Sequence, residues 1–232
     1  MPSRLRGSYL NDGEKSCHET KKLRDISVRI LITAGPTREP IDAVRYIGNR
    51  SSGRMGVSLC DAALAAGHSV TAIFGPVQLA SPPQVRRVDV ETAAEMHAAV
   101  LREFPDHDLL IMAAAVADFR PLRMHSDKLA RSGSLSIECE PTEDIVAAAA
   151  RGKRPDQRII GFSLETRGNT ARSHEKLARK HLDLIVYNPT DTMSSTTIES
   201  ILIWPDGREE AMARQTKGDF ARMLIERAAR LW

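Results

Sequence analysis

The sequence predicts an α/β fold: an open, parallel sheet with helices on both faces. Three observations carry that expectation. Short apolar runs rich in β-branched residues alternate with segments of helical period. Two of those runs end on Gly-Pro, at Gly35-Pro36 and Gly75-Pro76, as strands entering tight turns do. Between two further runs, Thr92-Ala93-Ala94-Glu95 forms a capping box, in which hydroxyl and carboxylate satisfy the unpaired N–H groups of a helix start.

The elements follow in order. Ser27–Ala34 (SVRILITA) reads as a buried strand. Over Arg54–Ala66, Met55, Leu59, Ala62, Ala63 and Ala66 fall on one helical face, and Gly67 stops the helix. Ser69–Phe74 and Val85–Val90 are the next strands. The helix opened by Thr92 runs to Phe104, and Leu109–Ala113 is a strand. Leu135–Glu140 reads as a strand and Thr142–Arg151 as a short helix capped by Thr142. Strands at Arg158–Ser163 and Leu182–Tyr187 flank a charged helix at Ala171–Lys180. Ile198–Trp204 and Arg208–Arg214 straddle Pro205-Asp206-Gly207, which predicts a hairpin. A last amphipathic helix from Gly218 to Leu231 buries Phe220, Leu224 and Ala228.

Composition narrows the function classes. The chain of 232 residues is 42% hydrophobic and 27% charged, with 33 basic against 30 acidic side chains. That is the balance of a globular domain, not of a collagenous, disordered or disulfide-stapled chain, and a net charge of +3 implies no nucleic-acid partner. The longest apolar run, Leu109–Val116, has eight residues against the ~20 of a spanning helix, so no membrane partner is expected. Residues 1–25 are polar and lack an apolar signal core. They are expected to be a disordered tail before a single domain at 26–232 in a reducing cytoplasm. Cys17, Cys60 and Cys139 form no C-x-x-C pair; Cys60 and Cys139 read as inert packing residues.

Three polar, irregular segments, 38–53, 119–133 and 189–197, are long for a compact α/β domain and attract the functional expectation. Ligands of open parallel sheets bind beyond the carboxyl ends of strands. In the first segment a strand ends at Gly35 and a helix starts close to Ser51-Ser52-Gly53. A helix N-terminus with Ser donors and small Gly53 and Gly56 suits a phosphate. The plain alternative is that Ser51 or Ser52 merely caps the helix. In Met112–Pro121 (MAAAVADFRP), small residues allow a flat ring close to the backbone and Asp118 could accept from a hydroxyl or hold a metal ion. An Ala-rich strand followed by a solvated Asp explains the same residues.

Together, ITAGPTREPIDAVRYIGNRSSGRMG, AAAVADFRP, IIGFSLET and KLARKHLDLIVYNP resemble phosphopantothenoylcysteine synthetase, the ligase half of a bacterial two-domain coenzyme A enzyme. The resemblance runs in order from residue 28 to 230. It implies a Rossmann-like homodimer that joins 4′-phosphopantothenate to cysteine with CTP and Mg²⁺, through an acyl-cytidylate. Carried over residue by residue, it places Asn49 at the reacting carboxylate, Arg45 in the second step and Lys128 on a flexible loop that closes over the intermediate. Gly35, Ser51, Gly53 and Gly56 match substrate-phosphate positions. Met112, Ala113, Ala114, Asp118, Lys128, Asp144, Ile145, Val146, Phe162, Lys176 and Lys180 match nucleotide positions, Asp118 also as a Mg²⁺ contact.

Three departures stand against the family pattern: Ala130 replaces a lysine after Lys128, Glu143 replaces a proline, and Asp191–Glu199 lacks an asparagine. They bear on loop closure and nucleotide affinity. Too few residues precede the first strand for a flavin domain, so a stand-alone synthetase without flavin is expected, with a separate flavin-dependent decarboxylase as a candidate partner. A nicotinamide-dependent reductase would need a glycine-rich turn directly after the first strand and a Y-x-x-x-K pair; Tyr46 is followed instead by Arg50. A non-catalytic binding protein on the same fold is the other alternative.

Overall fold

The structure, a computed structural model, describes residues 27–131, 133–190 and 195–232. The expected tail, Cys17 and residues 191–194 of the third segment lie outside them. Six parallel strands form the heart of the sheet: β1 (Arg29–Ala34), β4 (Ser69–Phe74), β5 (Arg86–Asp89), β6 (Leu109–Met112), β9 (Arg158–Glu165) and β10 (Leu184–Pro189), in spatial order β5-β4-β1-β6-β9-β10. The predicted hairpin, β11 (Thr197–Ile203) and β12 (Glu209–Thr216), extends the sheet antiparallel beyond β10. Its turn carries Gly207 at φ 85°, the left-handed conformation for which glycine has no steric cost.

Alternation along β1 builds the two cores. Ile30, Ile32 and Ala34 face a layer made by α1 (Arg54–Ala65) and α5 (Lys217–Ala228), through Leu59, Ala63, Phe220 and Leu224. Leu31 faces the other layer, where α2 (Ala93–Glu103), α3 (Ile145–Arg151) and α4 (Ala171–Arg179) supply Met96, Val100, Ile145 and Leu177. The Thr92 capping box forms as expected, with Thr92 Oγ1 accepting from Glu95 N and Glu95 Oε2 from Thr92 N. Cys60 is buried in the first core, and burial pushes its thiol up to about 12.

Several expectations are corrected. Helix α3 is capped by Asp144, which accepts from Ala147 N at 3.1 Å; the Thr142 hydroxyl donates to Ala117 O instead. The strand expected at Leu135–Glu140 shrinks to β8 (Cys139–Pro141). It pairs outside the main sheet with β7 (Phe119–Pro121), because an isolated pair needs no buried face. Cys139 is accordingly exposed. The first long segment is not irregular: β2 (Arg38–Pro40) and β3 (Tyr46–Gly48) form a second small hairpin. Its tip is turned by Asp42, whose Oδ1 accepts from the N–H groups of Val44 and Arg45, the way an Asp side chain nucleates a turn.

Candidate active site

After β1 the chain goes to β4 and β5 on one side, and later returns to β6 on the other. The crevice between the carboxyl ends of β1 and β6 is thus the switch point at which such sheets bind ligands. A cleft of about 180 Å³ opens there, lined by Arg50–Gly56, Ala113–Ala115, Phe162–Leu164, Asn188, Thr197, Ile198 and Lys217. Its floor is the start of α1. The cap position is Gly53, at φ 75° and with no side-chain cap, so neither Ser51 nor Ser52 caps the helix. Ser51 and Ser52 line the cleft as potential donors, beside first-turn N–H groups that carry partial positive charge.

The glycines serve packing before they serve a ligand. A Cβ at Gly56 would lie 2.2 Å from Ala34 Cβ, so the residue lets α1 rest on β1. A Cβ at Gly35 or Gly53 would meet Val77 Cγ1 at 2.8 or 2.9 Å, and both residues have positive φ. Gly53 and Gly56 line the cleft; Gly35 sits in the turn below it.

The loops after β1 and β6 are stitched together by buried polar side chains. Thr33 Oγ1 accepts from Ala114 N at 3.2 Å and Thr37 Oγ1 from Ala117 N at 2.9 Å; both threonines are fully buried. Gly35 O accepts from Ala115 N at 2.8 Å. Asn49 Nδ2 donates to Val116 O at 2.8 Å and Ala115 O at 3.3 Å, placing its side chain between the two loops. Asn49 and Ser51 also line an adjoining cavity with Thr37 and Tyr46. Glu39, in β2, is buried and accepts from Ala93 N, tying the same hairpin to the start of α2.

Arg45 and the Lys128 segment meet at Asp42. The Asp42 side chain is fully buried; its Oδ2 accepts from Leu129 N at 3.1 Å and pairs with Arg45 Nη2 at 2.5 Å, and Arg45 Nη2 also donates to Leu129 O. Burial works against the Asp42 charge, yet these donors hold its carboxyl far below the usual range. Lys128 itself stands exposed, its neighbours latched to the β2–β3 hairpin through Asp42 and through His125 N to Ile41 O.

The nucleotide positions separate into groups. Ala113, Ala114 and Phe162 line the cleft. Met112 does not: its sulfur is buried against Thr33, so only its backbone faces the strand end. Asp118 is exposed outside the lining, and its carbonyl accepts from Thr142 N. Ile145 is buried in the second core and Val146 packs against it. Lys176 and Lys180 are engaged by carboxylates. Lys176 Nζ pairs with buried Glu165 at 2.6 Å and Lys180 Nζ with Asp144 at 2.9 Å. Burial opposes both acids' charge, but the lysines hold their carboxyls below the usual range. Glu143 turns toward His97 of α2, at 2.9 Å, where it is directed at an imidazole rather than at a phosphate.

Sequence reasoning missed Asp42, Asn188 and Lys217. Asp42 carried the turn signal of an Asp two residues after Pro40. Lys217 carried a subtler one, a cation in the first turn of a helix.

Fold and site define a Rossmann-like domain whose cleft, at the switch point of a parallel sheet, offers an α-helix N-terminus and cations to an anionic ligand. The chain belongs to the DNA/pantothenate metabolism flavoprotein C-terminal domain family, which it matches over residues 26–231. It is 39% identical over 207 residues to the coenzyme A biosynthesis bifunctional protein CoaBC of Escherichia coli (strain K12), covering 86% of this chain and 51% of that one. A cysteine/cysteine sulfinic acid decarboxylase of an unknown prokaryotic organism is 42% identical over 205 residues, covering 86% and 57%. The chain thus spans about half the length of the curated relatives it matches. The crystal structure of the C-terminal domain of a CoaBC protein superposes with a TM-score of 0.77 at 35% identity, over 88% of this chain and 95% of that one. A Streptococcus pneumoniae DNA/pantothenate metabolism flavoprotein, 21% identical over 89% of this chain and 100% of that one, shares the fold at a TM-score of 0.78. No described helix is long and apolar enough to cross a membrane.

Proposed function

We propose that the protein is a phosphopantothenate–cysteine ligase of coenzyme A biosynthesis, forming the amide with CTP through an acyl-cytidylate. The observation that carries this reading is the placement of Asn49 between the two stitched loops. It stands beside a cleft with an anion-accepting end at Ser51–Gly56 and a small-residue wall at Ala113–Ala115. In the first step a substrate carboxylate oxygen attacks the α-phosphorus and pyrophosphate leaves. In the second, the cysteine amine attacks the acyl carbon, loses its proton, and CMP departs. Asn49 and the N–H groups beside it orient the acyl group, so that reaction follows binding without further search.

Among the described residues no cluster of three metal-ligating side chains exists. Asp118, exposed outside the cleft lining, could offer one carboxylate to a Mg²⁺ ion that enters with the nucleotide, since this ion takes one or two carboxylates plus phosphate oxygens. When bound it would neutralise triphosphate charge. Lys176 and Lys180 are already partly neutralised by Glu165 and Asp144, so a triphosphate would share their remaining donors with those carboxylates.

Homodimer formation is supported by exposed Val44, Tyr46, Phe119, Leu122 and Met124 on and beside the two small hairpins, an apolar surface of the kind found at interfaces. Sedimentation of wild type and Phe119→Glu tests it: the variant should sediment as a monomer. The reaction is tested with 4′-phosphopantothenate, cysteine, Mg²⁺ and either CTP or ATP, omitting each in turn. Amide with one CMP per turnover supports the ligase. Carbon dioxide released from cysteine, with no amide, would instead favour the activity named for the decarboxylase relative.

A further inference from the structure

The hairpin that runs into Asn49 has little of its own to hold it still. Strands β2 and β3 share three residue pairs, Arg38 with Gly48, Glu39 with Ile47 and Pro40 with Tyr46, and a lone pair of strands is marginal in water. Its tip is tied to Leu129 N by Asp42. Its middle is tied by Glu39, a residue only 2% exposed, whose Oε1 accepts from Ala93 N at 2.8 Å. Beside it, Arg38 N donates to Glu91 O at 2.8 Å, so two successive residues of β2 are bonded at the start of α2.

Helix α2 is already capped without Glu39. Thr92 Oγ1 takes the Glu95 N–H, and Glu95 Oε2 takes those of Glu91 and Thr92. A buried carboxylate is costly unless donors and positive charge surround it, and the helix start supplies Glu39 with both. The tie therefore serves the hairpin more than the helix. Glu39 lines neither cavity of the site. Yet the strand paired with it ends at Gly48, where an added Cβ would lie 2.7 Å from Thr37 O, and the next residue is Asn49.

We propose that Glu39 is a positioning residue: by fastening β2 to the start of α2, it sets the place from which Asn49 Nδ2 reaches Val116 O and Ala115 O. It touches no substrate and acts through Asn49. The catalytic consequence rests on the ligase reading; the positional one does not. With the Glu39 tie cut, β2 keeps one backbone bond to the α2 start, and the Asn49 amide is no longer held against its two carbonyls. The acyl group is then presented less well to the amine, while the cleft at Ser51–Gly56 is left as it was.

The test follows the Asn49 side-chain amide by nitrogen-15 NMR in unliganded wild type, Glu39→Ala and Glu39→Gln, with the signal assigned by its loss in Asn49→Ala. Glu39→Ala should move that signal toward the position of a solvent-exposed amide and speed its hydrogen exchange. Glu39→Gln keeps an acceptor for Ala93 N and should restore most of the wild-type signal. Glu39→Asp, one methylene too short for that bond, should behave as Glu39→Ala and takes its place if the alanine variant does not fold. In turnover, Glu39→Ala should slow amide formation about ten- to hundredfold, the cost of a displacement on the order of an ångström, with pyrophosphate release and KM for CTP nearly unchanged. In an Asn49→Ala background the same substitution should cost less than about twofold, because residues that act through one group do not add. An Asn49 signal that stays in place without the Glu39 carboxylate, equal slowing of both steps, or full multiplication of the two losses would overturn the assignment. So would a Glu39→Gln as impaired as Glu39→Ala. A wild type that makes no amide while its Asn49 signal responds as described would sink the ligase reading and leave this one standing.

Discussion

Asn49 Nδ2 donates to two adjacent carbonyls of the loop after β6, so its side chain is oriented before any ligand arrives. If it orients the acyl group for the amine, Asn49→Ala should leave pyrophosphate release from CTP nearly intact. Amide formation should slow about 10²-fold, as the loss of one positioned polar group does; rapid-quench measurement of the two products separates the steps. Gly56 makes a different demand. No side chain fits between α1 and β1 there, so Gly56→Ala should destabilise the fold by about 1–3 kcal/mol, read as a lower urea midpoint. In the sequence both residues looked like ligand contacts. The fold separates a glycine needed for packing from an asparagine needed for position, because the distinction lies in what stands opposite.

At the scale of elements, the sheet strands and flanking helices were legible because each carries its period, its cap or its Gly-Pro stop in consecutive residues. The hairpins β2–β3 and β7–β8 were not. They have three-residue strands, exposed faces and no apolar alternation, and what holds them comes from distant residues: Asp42 to Leu129, Thr142 to Ala117, Glu39 to Ala93. The Asp42 contact makes the β2–β3 tip and the Lys128 segment one element. Asp42→Asn keeps the shape but replaces a charged acceptor, weakening the pair with Arg45 and freeing the backbone near Leu129. Limited proteolysis should then cut faster after Lys128 or Arg131 than in wild type, and turnover should slow, as it should also in Lys128→Ala if that lysine closes over the intermediate. An unchanged cleavage rate would show that Asp42 does not restrain the segment.

Across the whole molecule, several carboxylates are held below their ordinary range. Asp108 lies beside Arg29, and Asp42, Asp144 and Glu165 are held by donors that outweigh their burial. A carboxyl depressed in the fold contributes stability that is present above its unfolded value, near 4, and lost as pH falls through the folded one. The urea midpoint should therefore change little from these groups between pH 7 and 5 and drop below about pH 4. The drop should be shallower in Asp42→Asn. The fold class and the location of the cleft at the strand ends were legible, since topology follows from the order of elements. Lys217 was not, because it joins Arg54 in the cleft only when α1 and α5, distant in sequence, pack on the same face.

The buried threonines under the cleft carry a thermodynamic consequence. With Thr33, Thr37 and Asn49 bonded across to the β6 loop, the wall that would take the nucleotide and the floor that would take the acid have no independent freedom. Occupancy of one should change affinity for the other, and by the same factor in either order, because linkage is reciprocal. Thr37→Val preserves volume and removes the hydroxyl that holds Ala117. In that variant the affinity of each ligand measured with and without its companion should converge, even though Thr37 touches neither.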